Sequence, residues 1–338
     1  MSTEMLNRLH GLKGAIGNTP LLQIDYTYKG KPGTVYAKAE NFNYTGSIKD
    51  RMAYYILEKA YLSGELCPGM HIMEATSGNT GISFAALGRA MGHEVTIFMP
   101  DWMSTERINL IRGFGANIRL VSANEGGFLG SIAMTQKQKE ANPKGVFLPA
   151  QFDNSDNCDA HFKSLGPEIV QQLESLGRVP DAFVAGVGTG GTVMGVGAYL
   201  KSINPAATAH PLEPLSSPTL STGYRVGKHR IQGLSDEFIP SIVRLDELDD
   251  IITVDDGDAI ILAQMLARRL GTGVGISSGG NFAGAILKQA QLGGNVTVVT
   301  VFPDDSKKYL STDYAKDEPV KAGFISTDTE LTGIRVIR

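Results

Sequence analysis

Residues 74–81, Glu74-Ala75-Thr76-Ser77-Gly78-Asn79-Thr80-Gly81, close a short apolar run and open a helical pattern. With a predicted strand at 70–74 before them and a predicted helix at 80–91 after, they form one strand–turn–helix unit. Ala185-Gly186-Val187-Gly188-Thr189-Gly190-Gly191-Thr192 has the same arrangement, between a strand at 182–185 and a helix at 192–203. Both turns are rich in glycine and hydroxyl side chains, the composition that lets backbone N–H groups approach a ligand at a helix start.

Working outward, a short N-terminal helix is followed by strands near Leu21–Ile24 and Thr34–Ala39. From Ser47 the pattern alternates: helix 50–63, strand 70–74, helix 80–91, strand 94–98, helix 104–113, strand 117–121, helix 128–141 and strand 146–149. It continues with helix 159–176, strand 182–185, helix 192–203, strand 251–254, helices 256–270 and 280–291, and strand 296–301. Strands alternating with helices of roughly 10–15 residues indicate α/β architecture, with mainly parallel sheets covered by helices on both faces. Two such runs, divided near Pro149–Asn154, imply two domains with a cleft between them. The Pro-, Ser- and Gly-rich segment 208–240 reads as a long loop of the kind that carries function. Residues after Tyr314 show no core pattern, and contact with a partner subunit is the role this reading gives them.

The chain has 338 residues, 42% of them apolar and 20% charged, with 31 Lys and Arg against 35 Asp and Glu for a net charge of −4. That balance gives no basic excess for nucleic acid or an anionic membrane. No apolar run approaches ~18 residues, and no basic-then-apolar leader opens the chain. Cys67 and Cys158 make no disulfide framework, and neither has a partner at metal-ligand spacing. A soluble cytoplasmic protein without a metal is the expectation.

One lysine stands out in Asn43-Tyr44-Thr45-Gly46-Ser47-Ile48-Lys49-Asp50-Arg51. Met52, Tyr55, Ile56, Lys59 and Ala60 recur at helical spacing after it, with Ser47 as the expected N-cap. A lysine in a first helical turn faces the positive end of the helix dipole, which disfavours its charge, and burial adds to the effect. A neutral lysine is a nucleophile suited to a carbonyl partner; a plain surface lysine is the other reading of this segment.

Together, Lys49 and the two turns resemble the cysteine synthase / cystathionine β-synthase family of pyridoxal-phosphate enzymes, fold type II. The resemblance runs from Ile16-Gly17-Asn18-Thr19-Pro20 to Phe302-Pro303-Asp304-Asp305-Ser306. It implies a smaller domain at 50–153, a larger cofactor-binding domain at 13–49 plus 154–315, a tail at 316–338, and a homodimer. It further implies that Lys49 carries pyridoxal 5'-phosphate and then acts as base at Cα. Gly188, Thr189, Gly190, Gly191 and Thr192 would hold the phosphate, Asn79 the 3′ oxygen, and Ser277 the pyridine nitrogen. Thr76, Ser77, Gly78, Thr80 and Gln151 would take the substrate carboxylate. The implied chemistry is β-elimination and β-replacement on a cysteine- or serine-type amino acid through an aminoacrylate.

The chain departs from the family at Gly233-Leu234-Ser235-Asp236-Glu237-Phe238-Ile239-Pro240, where relatives carry small residues in place of the two acids. Asp236 is read as a carboxylate over Cβ, a base for an incoming nucleophile that also repels hydrosulfide. This favours release of sulfide from L-cysteine with water adding to give L-serine, against synthesis of cysteine from O-acetylserine or O-phosphoserine and sulfide. A solvated, incidental pair of acids is the plainer alternative. Gly186 to Gly191 also fits G-x-G-x-x-G with Glu213 about 20 residues on, the mark of a nicotinamide- or flavin-dependent oxidoreductase. His161 and Cys158 are read as structural, and Asp304 and Ser306 as lining the cofactor side of the cleft.

Overall fold

A computed structural model describes residues 2–234, 237–293 and 295–338; Asp236, the expected base, lies outside the described residues. The strands are β1 (Leu21–Tyr28), β2 (Lys31–Ala39), β3 (His71–Ala75), β4 (Val95–Pro100), β5 (Asn117–Val121) and β6 (Val146–Phe147). They continue as β7 (Ala182–Gly186), β8 (Thr208–Pro214), β9 (Ile252–Val254), β10 (Val298–Phe302) and β11 (Thr329–Ile337). Among the described residues they form a seven-stranded sheet, ordered β11-β1-β2-β10-β7-β8-β9, and a four-stranded sheet, ordered β5-β4-β3-β6.

The four-stranded sheet is parallel throughout, and so is the run from β2 to β9 in the larger one. Parallel strands covered on both faces read as continuous apolar runs, and β10, Val298-Val299-Thr300-Val301-Phe302, is buried at every residue. One apolar cluster on the larger sheet includes Ala182, Val184, Phe282 and Ile286; another, on its opposite side, includes Phe183, Val193, Val196 and Val299. A third packs Met52, Ile56, Ile72, Ile82 and Ile97 around the smaller sheet. β1 and β2 make an antiparallel hairpin through Lys29 and Gly30, whose φ values of 51° and 72° suit a tight primed turn.

This topology places three chain turns at carboxyl ends of parallel strands: 76–78 after β3, 187–190 after β7, and 303–305 after β10. Such ends are where open α/β sheets bind ligands.

Several expectations need correction. The segment 208–240 is not all loop, because Thr208–Pro214 is β8, buried inside the sheet. Two prolines and a histidine hid it: Pro211 donates no backbone hydrogen bond, and central strands rarely carry proline. His210 is accommodated because its ring nitrogens face Thr208 Oγ1 at 2.9 Å and the Asp250 carboxylate at 2.9 Å. The expected helix 159–176 starts at Asp156 and widens into a π-turn at His161–Leu165 before Gly166–Glu174. Gly166 N–H reaches back five residues to His161 O, just ahead of Pro167, which has no N–H to donate. The expected helix 280–291 begins earlier, at Ile276, and its Ser-Ser-Gly-Gly start masks it. Residues 329–337, without a visible core pattern, form β11, an edge strand paired with β1 and buried only at Thr329 and Ile337. The helix Lys49–Ser63 is buried nearly all round rather than along one stripe, with Ala53, Tyr54, Leu57 and Tyr61 inside as well.

Candidate active site

Lys49 is the first residue of the helix Lys49–Ser63, and its loop is tied on both sides. Ile48 N–H donates to Pro303 O (2.8 Å) at the end of β10, and Lys49 N–H donates to Ser47 Oγ (3.3 Å). The buried Asp50 carboxylate folds back on the same loop, accepting from Thr45 N–H and Oγ1 (2.6 Å each) and from Ser83 Oγ (2.6 Å). Arg51 then locks the helix start to the larger sheet's side, donating to Glu40 (2.6 and 2.9 Å) and Glu168 (2.7 and 2.8 Å). Burial opposes the charge of Glu168, yet Arg51 and Lys38 bring its carboxyl down to about 2.

The turn after β3 is shaped by Gly78, whose φ of 146° excludes other residues and whose missing Cβ leaves room for the buried Arg107 stem. Gly78 N–H donates to Thr76 Oγ1 (3.0 Å), and Asn79 opens the helix Asn79–Ala90. Thr80 Oγ1 donates to Gln151 Oε1 (2.6 Å), while Gln151 Nε2 donates to Ala75 O (2.9 Å). Gln151 follows Ala150, a non-glycine residue at φ 52°, so the turn is strained where the amide is aimed. Beneath it, burial pushes the Glu74 carboxyl up to about 8.

Glycines also set the turn after β7. A Cβ on Gly188 would strike Gly233 O, one on Gly190 would strike Val243, and one on Gly191 would strike Asn157. Gly190 itself sits at φ 84°. Asn157 Nδ2 donates to Thr189 Oγ1 (2.9 Å), and Thr192 Oγ1 lies 3.3 Å from His161 Nε2. Burial first, then the charges of Arg51 and Lys49, push His161 down to about 3, so the ring is neutral at ordinary pH. The helix Gly191–Ile203 starts there, with Gly191 N–H donating to Thr189 Oγ1 (3.4 Å), and a helix start of this kind suits an anion.

One cavity collects these elements. Lys49, Thr76, Ser77, Asn79, Thr80 and Gln151 line it from one side. Gly188, Thr189, Thr192 and Ser277 line it from the other, with Gln232, Gly233 and Leu234 over it. Gly78, Gly190 and Gly191 support the turns without lining the wall. Ser277, expected in a loop, lies instead in the first turn of Ile276–Leu292 and is buried. Glu237 pairs with Arg225 and faces a wider adjoining hollow, not this cavity. Ser306 is absent from the wall, and Asp304 stands behind Asn79, accepting from its Nδ2 (2.7 Å) and from Tyr309 OH (2.8 Å). Glu213 is occupied in holding the turn 219–222, accepting from Leu220 N–H (2.6 Å) and Ser221 N–H (3.2 Å), which leaves no carboxylate for a ribose.

Sequence reasoning missed Arg107, Asn157 and Lys308. Arg107 is buried between the Tyr309 ring (4.5 Å from its centroid) and Gln232, to which it donates. Lys308 donates to Asn79 Oδ1 (3.0 Å) and Gly46 O (3.1 Å). The cluster of acids and lysines at 304–308, directly after a buried strand, was the available signal.

A lysine at a helix start, an anion nest built on glycines, and an amide between them suit an aldehyde-bearing phosphate cofactor. The sequence model of the pyridoxal-phosphate dependent enzymes matches residues 12–304. The chain belongs to that family. A probable cysteine synthase of Bacillus subtilis is 41% identical over 309 residues, 91% of this chain and 98% of the relative. A hydrogen sulfide-producing enzyme from Fusobacterium nucleatum superposes with a TM-score of 0.95 at 55% identity, over 98% of this chain and 99% of that one. An aspartate-to-asparagine variant of that enzyme, solved in complex with an α-aminoacrylate intermediate, gives a TM-score of 0.95 at 54% identity, over 97% of this chain and 99% of the other. The protein is thus a cysteine synthase-like enzyme with the fold type II architecture, and its cofactor is pyridoxal 5'-phosphate. Among the described residues no helix is long and apolar enough to cross a membrane.

Proposed function

We propose that the enzyme converts L-cysteine and water into L-serine and hydrogen sulfide. The C–S bond at Cβ breaks, a C–O bond to water forms, and two protons leave with sulfur, so atoms balance without an oxidant or reductant. The observation that carries this reading is the likeness, over nearly the whole chain, to an enzyme described as producing hydrogen sulfide. Asp236 supports it, because it follows closely in sequence on Gly233 and Leu234, which wall the cavity.

The bound cofactor supplies the electron sink that makes the Cα proton acidic and the Cβ substituent a leaving group. In this reading Lys49 holds the cofactor's aldehyde and then moves the Cα proton. The turn 188–192 grips the phosphate through backbone N–H groups. Thr76, Ser77, Thr80 and Gln151 orient the substrate carboxylate, with Gly78 shaping their turn, and Asn79 meets the 3′ oxygen. Asp236 takes a proton from the incoming water. A second reading, cysteine synthesis from an O-activated serine and sulfide, is favoured by the curated relative at 41% identity.

Product analysis separates the two. With L-cysteine alone, sulfide and L-serine are expected in equal amounts; with O-acetylserine plus sulfide, cysteine should form more slowly. A reversed preference would make this a cysteine synthase.

Ser277 gives a further prediction. A hydroxyl cannot hold a protonated ring nitrogen as a carboxylate does, which suits a short-lived charge at Cα. Ser277→Ala should lower turnover, and Ser277→Asp should alter the cofactor's absorption and damage activity by placing a charge beside an unprotonated nitrogen. Wild-type spectra and rates in both variants would remove Ser277 from this role.

A further inference from the structure

Asn79 is held by two partners of opposite hydrogen-bonding character. Asp304, completely buried, presents a carboxylate oxygen that can only accept, and Asn79 Nδ2 donates to it at 2.7 Å. Lys308 presents an ammonium that can only donate, and its Nζ lies 3.0 Å from Asn79 Oδ1. An asparagine amide can be turned over without changing its shape, so neighbours decide which end points where. Here both neighbours demand the same orientation. Lys308 is 4% exposed and donates also to Gly46 O at 3.1 Å, three residues before Lys49. Burial lowers the Lys308 pKa from its ordinary value, and the nearby Asp304 and Asp50 oppose that shift in part.

We propose that Lys308 and Asp304 are positioning residues that fix the Asn79 amide so that its second Nδ2 hydrogen faces the reaction cavity, where it selects an anionic 3′ oxygen on the cofactor. This rests on reading Asn79 as the 3′-oxygen contact. With oxygen held by Lys308 and one hydrogen by Asp304, the amide has a single free donor left. A turned amide would instead present Oδ1, which repels a phenolate. The pair therefore acts on the cofactor's charge state without touching it.

The test is equilibrium binding of pyridoxal 5'-phosphate and the absorption spectrum of the loaded protein, with no substrate present. Lys308→Met keeps the long apolar stem, removes the donor, and should weaken cofactor binding about tenfold, the worth of one charge-assisted hydrogen bond. The yellow visible band should fall as a near-ultraviolet band rises. Lys308→Arg should restore both. Asp304→Asn, which can donate as well as accept, releases the amide from the other side and should show the same signature. Asn79→Ala should match Lys308→Met, and the double variant should be no worse than either, because the lysine acts through the amide. Lys308→Met with wild-type affinity and spectrum, beside an impaired Asn79→Ala, overturns the positioning role while leaving the Asn79 reading intact. Additive losses in the double variant overturn it too, since the lysine would then act on the cofactor by itself. An Asn79→Ala variant indistinguishable from wild type removes both the inference and the reading beneath it.

Discussion

Lys49→Ala is expected to yield a folded protein that holds pyridoxal 5'-phosphate without a covalent link and is nearly inactive. Two losses coincide in this substitution, the nitrogen that captures the cofactor's aldehyde and the base that moves the Cα proton. Removing a general base alone costs about 10²–10⁴-fold, so turnover should fall by at least that much. Folding should be spared. Lys49 is the first helical residue and half-buried, alanine is the best helix former, and the loop is anchored by the Ile48 and Asp50 hydrogen bonds that the variant keeps. Borohydride reduction followed by intact mass is the decisive measurement. Wild type should gain the mass of the reduced cofactor, and the variant should not. A colourless wild-type protein that also refuses added cofactor would end the assignment of Lys49.

The residues legible beforehand were those whose identity is forced by local geometry. Gly78 at φ 146° and Gly190 at φ 84° admit no side chain easily, so the turns that carry them show in sequence as glycine clusters between a strand and a helix. Lys49 was visible for a similar reason, since its place follows from a helix start. The alternation of buried strands with helices announced the α/β architecture in the same way, because each element carries its own period. What stayed hidden depends on distant partners. β8, with Pro211 in it, is held by partners far away in sequence, with Val187 N–H reaching Leu212 O at 2.9 Å. Lys308 meets Asn79 across 229 residues, and Arg51 meets Glu168 across 117; no spacing rule pairs them. Arg107 likewise joins Gln232 from another element, filling the space that Gly78 leaves. Ser277 lies in a helix and not in the expected loop; the helix was hidden because it opens with residues of poor helical propensity.

Asp236→Asn is the second substitution from which a large effect is expected. The acid follows closely in sequence on Gly233 and Leu234, which wall the cavity. A carboxylate there can take the proton of water as oxygen adds to Cβ; the amide keeps its size and loses that basicity. Release of sulfide from L-cysteine precedes this step, so it should proceed, while formation of L-serine should slow by about 10²–10⁴-fold. The substrate, having lost sulfide and not yet gained water, should then accumulate or escape as pyruvate and ammonia. Glu237→Gln is the control: Glu237 pairs with Arg225 and lines the outer hollow, so its loss should leave the ratio of serine to sulfide unchanged. Rapid-mixing spectra and product ratios read both steps in one experiment. If Asp236→Asn makes serine as fast as wild type, water is activated by another group, and the two acids of this loop are incidental to the choice between making cysteine and consuming it.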